Sequence, residues 1–172
     1  MSMKRFLTTI AIVLLAALNL NAQSYGYVNT QEILEKMPEY RVAQDRLDRI
    51  REDHEADMKS EMERIEMLFR KYQSEKSRLS DAVRQSRENE IIMMERNAKE
   101  RQREIFGQEG SFSKLTLELM EPIQRRVQTA IDSVSIEMGL GIVFDINAMQ
   151  GVLYKNPRLD ITLRVMNKLN LK

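Results

Sequence analysis

The chain has 172 residues, of which 31% are charged and 6% aromatic, with no Trp, no Cys and a formal net charge of +1. That length holds one domain with an appendage, and the composition favours coiled coil over a large packed core. Without cysteine there are no disulfides and no thiolate metal sites, and the near-neutral charge excludes a global attraction to nucleic acid or anionic lipid.

At the N-terminus, Lys4 and Arg5 precede the apolar run Phe6 to Leu18 and the polar exit Asn19-Leu20-Asn21-Ala22. This order is that of a secretory signal, and the run falls short of the roughly 20 apolar residues that span a bilayer. We expect residues 1–22 to be a signal peptide cleaved after Ala22, although Leu20 is bulkier than the small residue usual at that place. The other reading is an uncleaved anchor on a structural coiled-coil envelope protein. Loss of Lys4 and Arg5 takes the formal charge from +1 to −1, so strong membrane binding is not expected of the mature chain.

Tyr25-Gly26-Tyr27-Val28 reads as a short strand, opening a body of residues 23–38 and 122–172. Between these pieces, Glu39 to Glu121 holds no proline and two glycines, Gly107 and Gly110. A run so long, built from good helix formers, exceeds any ordinary buried helix. Residues 39–121 are therefore predicted to form a helical arm. Tyr40, Ala43, Leu47, Ile50, Met58, Met62, Ile65, Phe69, Tyr72, Leu79 and Val83 step mostly by three and four, as a coiled-coil seam does. Ile91, Met94, Ala98, Ile105, Phe112, Leu119 and Ile123 continue the rhythm, and Val127, Ala130, Val134 and Met138 carry it on. His54, Lys76, Gln102 and Glu109 put polar groups on that seam, which favours local opening.

Ser77, Ser80 and Asp81 are capping and turn-forming types, so a hairpin with its tip near 77–81 fits better than one unbroken helix. Residues whose numbers add to about 160 then face each other, Pro38 lies level with Pro122, and each limb reaches roughly 60 Å. Gly107 and Gly110 soften the returning helix, each costing about 1 kcal/mol relative to Ala. Two readings stand for them: tolerated surface glycines, or a hinge. Met67, Leu68, Ile92, Met93, Phe106 and Leu117 do not fit the seam and are candidate client-binding residues, since flexible apolar side chains suit surfaces that accept many partners.

Beyond the arm, Gly139 suits the left-handed position past a helix end. Ile142-Val143-Phe144 reads as a second strand, Asp145 to Gly151 as a turn and Val152-Leu153-Tyr154 as a third strand. After the turn Lys155-Asn156-Pro157, Asp160 can cap a last helix, Ile161 to Leu169. Three strands this short cannot hide their edges, and the body is smaller than the roughly 70–80 residues at which a lone core is comfortable. Copies of the chain are expected to complete it. Candidate residues for that self-association are Tyr27, Val28, Ile142, Val143, Phe144, Val152, Leu153 and Tyr154.

Tyr25-Gly26-Tyr27-Val28-Asn29-Thr30, Met37-Pro38-Glu39-Tyr40 and Met120-Glu121-Pro122-Ile123 resemble the Skp/OmpH family of periplasmic chaperones. Val143-Phe144-Asp145, Val152-Leu153-Tyr154 and Asp160-Ile161-Thr162 share that likeness, which covers nearly the whole mature chain. The resemblance implies a mainly α fold with a small β body: a homotrimer whose strands join in a β-barrel trimerisation body bearing coiled-coil tentacles around a cavity. It implies an ATP-independent holdase for unfolded outer-membrane β-barrel proteins, passing them toward the outer-membrane assembly machinery. Strongly basic members are proposed to touch anionic lipid and lipopolysaccharide; this near-neutral chain departs from them.

No nucleophile-base set, phosphate loop or metal-ligand spacing is visible. The one histidine, His54, sits between Asp53 and Glu55 as a solvated or seam residue. Basic pairs such as Arg70-Lys71 and Arg125-Arg126 lack neighbouring aromatics, so no nucleic-acid partner is expected. We expect no enzyme, no cofactor and no metal.

Overall fold

The computed structural model describes residues 24–171; the expected signal segment, residues 1–22, lies outside them. The chain divides into two compact units. One joins the described residues up to Met37 with those from Arg125 onward, and the other is Pro38–Gln124.

In the second unit, helix α2 spans Pro38–Glu75. It starts where it does because Met37 is extended (φ −81°, ψ 119°), as the residue before a proline prefers, and Pro38 supplies a preset φ at the first helical position. Its 38 residues give a rod of about 57 Å. The chain reverses through a 3-10 turn, Lys76–Arg78, then Leu79 at φ −88°, ψ 146°. Helix α3, Asp81–Phe106, follows. Ser80 stands at its N-cap but makes no side-chain cap bond; only its carbonyl works there, accepting the Arg84 N–H at 2.9 Å. Asp81 favours the helix start electrostatically and pairs with Arg84 at 2.7 Å.

The two limbs are held by a core of Ile65, Tyr72, Ile91 and Ala98, with Leu68, Leu79 and Met94 packed against it. Across the hairpin, Tyr72 bonds Glu88 and Glu61 pairs with Arg101 at 3.3 Å, pairs whose numbers add to about 160 as antiparallel limbs require. One expectation changes here. Met62, Phe69 and Val83, read as seam residues, are exposed. Met62 and Phe69 stand seven residues apart on one stripe, and a hairpin of only two helices covers a single narrow seam. Ile65, Leu68 and Tyr72 fill it, leaving the flanking stripe open.

The returning limb is also not one helix. It breaks at 107–110, and helix α4 runs Ser111–Met138 straight through Pro122. Gly107 ends α3 by donating to the Arg103 carbonyl at 2.8 Å, and Gly110 starts α4 by accepting from Lys114 N–H at 3.0 Å. A Cβ on either glycine would lie 2.4 Å from a carbonyl oxygen, of Arg103 or of Ile105. These are therefore not tolerated surface glycines; the break needs hydrogen at both positions.

In the first unit, β1 (Ser24–Val28) pairs in parallel with β2 (Leu140–Asp145). Helix α1 covers Thr30–Lys36, and its N-cap Asn29 accepts from the Glu32 N–H. Helix α5, Thr162–Lys168, begins after Asp160, whose carboxylate accepts the Thr162 N–H at 2.9 Å. Gly139 follows α4 at φ +64°, the left-handed conformation that ends a helix at least cost with glycine. Ile33, Met37, Ile161 and Val165 are fully buried. Thr30 Oγ1 donates to Asp145 at 2.5 Å, tying the start of α1 to the end of β2.

The expected third strand at Val152-Leu153-Tyr154 is absent; residues 151–156 carry no regular element. Among the described residues the sheet has two strands. The outer side of β1 is taken by a bridge from Tyr27 to Asp160, and residues 152–154 lie in no strand. Two strands alone close no barrel, and none is seen among the described residues.

Candidate functional site

Most of the arm's surface is charged. Pairs such as Glu66–Arg70 and Arg87–Glu90 are exposed on both sides, and each contributes under about 1 kcal/mol to stability. Their effect is solubility. Among these charges, Met67, Ile92, Met93 and Leu117 are 64%, 59%, 62% and 68% exposed. The hairpin core makes no use of them.

Two of the candidate client-binding residues sit elsewhere. Leu68 packs on the hairpin core. Phe106 is half-buried at the break, edge-on to His54 with ring centroids 6.1 Å apart and 5.5 Å from the Phe112 ring. Arg51 lies over Phe112 at 5.1 Å from its centroid. This stack of rings and one guanidinium holds the chain where backbone hydrogen bonding lapses. In place of Leu68 and Phe106, the structure adds Met62 and Phe69 to the exposed apolar set. Their helical spacing hid them, because seam and flanking stripe both repeat every seven residues.

Between α2 and α3 a groove of about 510 Å³ opens, floored by Met58, Met62 and Ala98 with Gln102 beside them and Glu55 and Lys99 among its charged groups. Gln102 stands where the seam calls for an apolar residue, so the limbs do not zip tightly there.

Nearer the tip, Tyr72 donates its hydroxyl to Glu88. Lys76 Nζ is 3.3 Å from the same carboxylate and 5.4 Å from the Tyr72 ring centroid. Burial pushes the Tyr72 hydroxyl above its usual pKa, and its bond to Glu88 adds to the rise. That bond, followed by Lys76, holds Glu88 below the usual carboxylate range. Lys76 is raised by its contact with Tyr72 and then Glu88. The three form a clasp across the limbs. They offer no open position for a substrate.

In the first unit the candidate self-association residues divide. Tyr27 and Val28 are buried within the chain; burial raises the Tyr27 pKa, with Asp160 adding to it. Val143 is half-buried. Ile142, Phe144 and Val152 are exposed, Leu153 is 100% exposed and Tyr154 80%. Beside β2 lies a groove of about 430 Å³, lined by Gln128, Ile131 and Ser135 of α4 with Leu140 and Ile142 of the strand. Among the described residues no group of three or more His, Cys, Asp or Glu could hold a metal, and no helix is long and apolar enough to cross a membrane.

Residues 24–169 match the family model described as outer membrane protein (OmpH-like). The chain is similar to the chaperone protein Skp of Yersinia enterocolitica, 24% identical over 168 residues that cover 96% of this chain and 99% of that protein. Its fold is similar to a crystal structure of an OmpH-like outer membrane chaperone from Caulobacter crescentus CB15, with a TM-score of 0.61 and 14% identity. That match covers 86% of this chain and 83% of the other. At such identity the structural likeness speaks for the fold alone. The family match reaches from β1 to the end of α5, and the protein therefore belongs to the OmpH-like family of outer membrane proteins, non-enzymatic chaperones of the periplasm.

Proposed function

We propose that this protein is an ATP-independent holdase. It binds unfolded outer-membrane β-barrel proteins between the helical arms of associated copies and keeps them from aggregating on the way to the outer membrane. The observation that carries this reading is the exposed apolar set of the arm, Met67, Ile92, Met93 and Leu117 with Met62 and Phe69, spread among charges and unused by the hairpin core. Each side chain gains only about 25 cal/mol per Å² of client surface it covers. Several arms acting together raise the effective concentration of such weak sites. The binding is broad because methionine adapts to many shapes.

Three copies are proposed to build the body. The free edge of β2, the exposed Ile142 and Phe144, and the unpaired Val152-Leu153-Tyr154 segment supply the apolar surface that such association would cover. The groove beside β2 gives a neighbour's segment room. Hand-over to the assembly machinery at the outer membrane belongs to the same proposal. So does export with removal of residues 1–22, which N-terminal mass spectrometry checks: a chain starting at Gln23 supports it, and one retaining Lys4 contradicts it.

The direct test replaces Met67, Ile92, Met93 and Leu117 together with Ser and dilutes an unfolded outer-membrane barrel protein into the variant. Suppression of aggregation should require about tenfold more chaperone, with helical content and assembly size unchanged. Suppression at the wild-type concentration contradicts the assignment of the holding surface.

A further inference from the structure

The chain has 12 methionines and no cysteine, so the thioether is its most readily oxidised side chain. Met62, Met67 and Met93 are exposed on the arm, whereas Met37 is 0% and Met166 7% exposed in the body. Met67 and Met93 each stand two positions past a buried core residue, Ile65 and Ile91, and the core does without both. Chemistry at these sulfurs therefore alters the arm's surface and leaves what folds it intact.

We infer that Met62, Met67 and Met93 form an oxidant-sensitive modification site. A two-electron oxygen-atom donor such as hydrogen peroxide converts them to sulfoxides and switches the holding surface off, while fold and self-association persist. This rests on the holdase reading above. In the step, a sulfur lone pair attacks one peroxide oxygen and the S–O bond forms as the O–O bond breaks; the departing hydroxide takes the proton from the sulfur-bound oxygen and leaves as water, giving the neutral sulfoxide. Sulfur is oxidised by two electrons and the peroxide is reduced by two. The product is a strongly polar, hydrated group where a flexible apolar one stood. Because holding is multivalent, the loss on each arm compounds.

The test uses the exported protein and a variant carrying Met62→Leu, Met67→Leu and Met93→Leu, which keeps apolar volume but cannot form a sulfoxide. Both are treated with hydrogen peroxide, mapped by peptide mass spectrometry and assayed for holding an unfolded outer-membrane barrel protein. Wild type should gain oxygen at Met62, Met67 and Met93 before Met37 and Met166, and its holding should weaken by about tenfold. The variant should hold equally before and after treatment, even though Met149, exposed in the body, is oxidised in both proteins. Full holding by wild type oxidised at the three arm sites overturns the inference, as does an equal loss in the variant or equal oxidation of Met37 and Met166. Failure of untreated wild type to hold any client would instead bring down the holdase reading.

Discussion

Glu88 joins both limbs of the arm through one carboxylate, accepting from Tyr72 and facing Lys76. Its pKa is lower in the folded arm than in the unfolded chain. The stability it adds is complete above the ordinary carboxylate value of about 4.3 and is lost as pH falls through the folded value. Acidification below about pH 4 should lower the melting temperature of the wild type more steeply than that of Glu88→Gln, read by circular dichroism. Identical acid limbs for the two proteins would show that the clasp contributes nothing. Gly107 and Gly110 matter at the same scale. A methyl group on either would stand 2.4 Å from a carbonyl oxygen, so Gly107→Ala or Gly110→Ala should cost about 1–3 kcal/mol in chemical denaturation. A neutral effect would mean the break relaxes into continuous helix.

Among the elements, the arm is the most legible in the sequence, because steps of three and four persist through Ile65, Tyr72, Ile91 and Ala98 whatever the tertiary context. The break at 107–110 is legible only as softness. Two glycines mark weak helix, but the ring stack of His54, Phe106 and Phe112 that makes a lapse tolerable joins residues far apart in sequence. Sequence spacing alone therefore puts Phe106 on the surface, whereas it is half-buried. Met62 and Phe69 err the other way, since periodicity reports a stripe's direction but not how much of it a partner helix covers. In the body, the strands at Tyr25 to Val28 and Ile142 to Phe144 are legible, while the N-cap of α5 is Ile161 and not the expected Asp160, whose carboxylate accepts the Thr162 N–H from one residue before it. Val152-Leu153-Tyr154 does not become a strand, because β propensity reports how a side chain fits a pleated surface and does not say whether the segment is paired. The body's own core is testable directly. Ile161 and Val165 are fully buried, and Ile161→Ala should destabilise the protein by about 2–5 kcal/mol, measured by urea unfolding. A loss within error of zero would place this part of α5 outside the cooperative core.

The whole molecule combines a hairpin whose exposed apolar side chains its own core does not need with a body that leaves Ile142, Phe144, Leu153 and Tyr154 uncovered. The proposed function gives both surpluses partners: unfolded clients for the arm and identical copies for the body. Changing Leu153 and Tyr154 to Ser should weaken association while leaving the helical arm formed, since neither residue belongs to the hairpin core. Association unaffected by that pair would move the contact to β2 and the groove beside it. The central claim is that the body is not stable without its copies. Light scattering of the purified exported protein in dilute solution tests it most directly. A mass about three times that of the chain is expected, persisting when one unfolded outer-membrane barrel protein is bound. A well-folded monomer would contradict the claim.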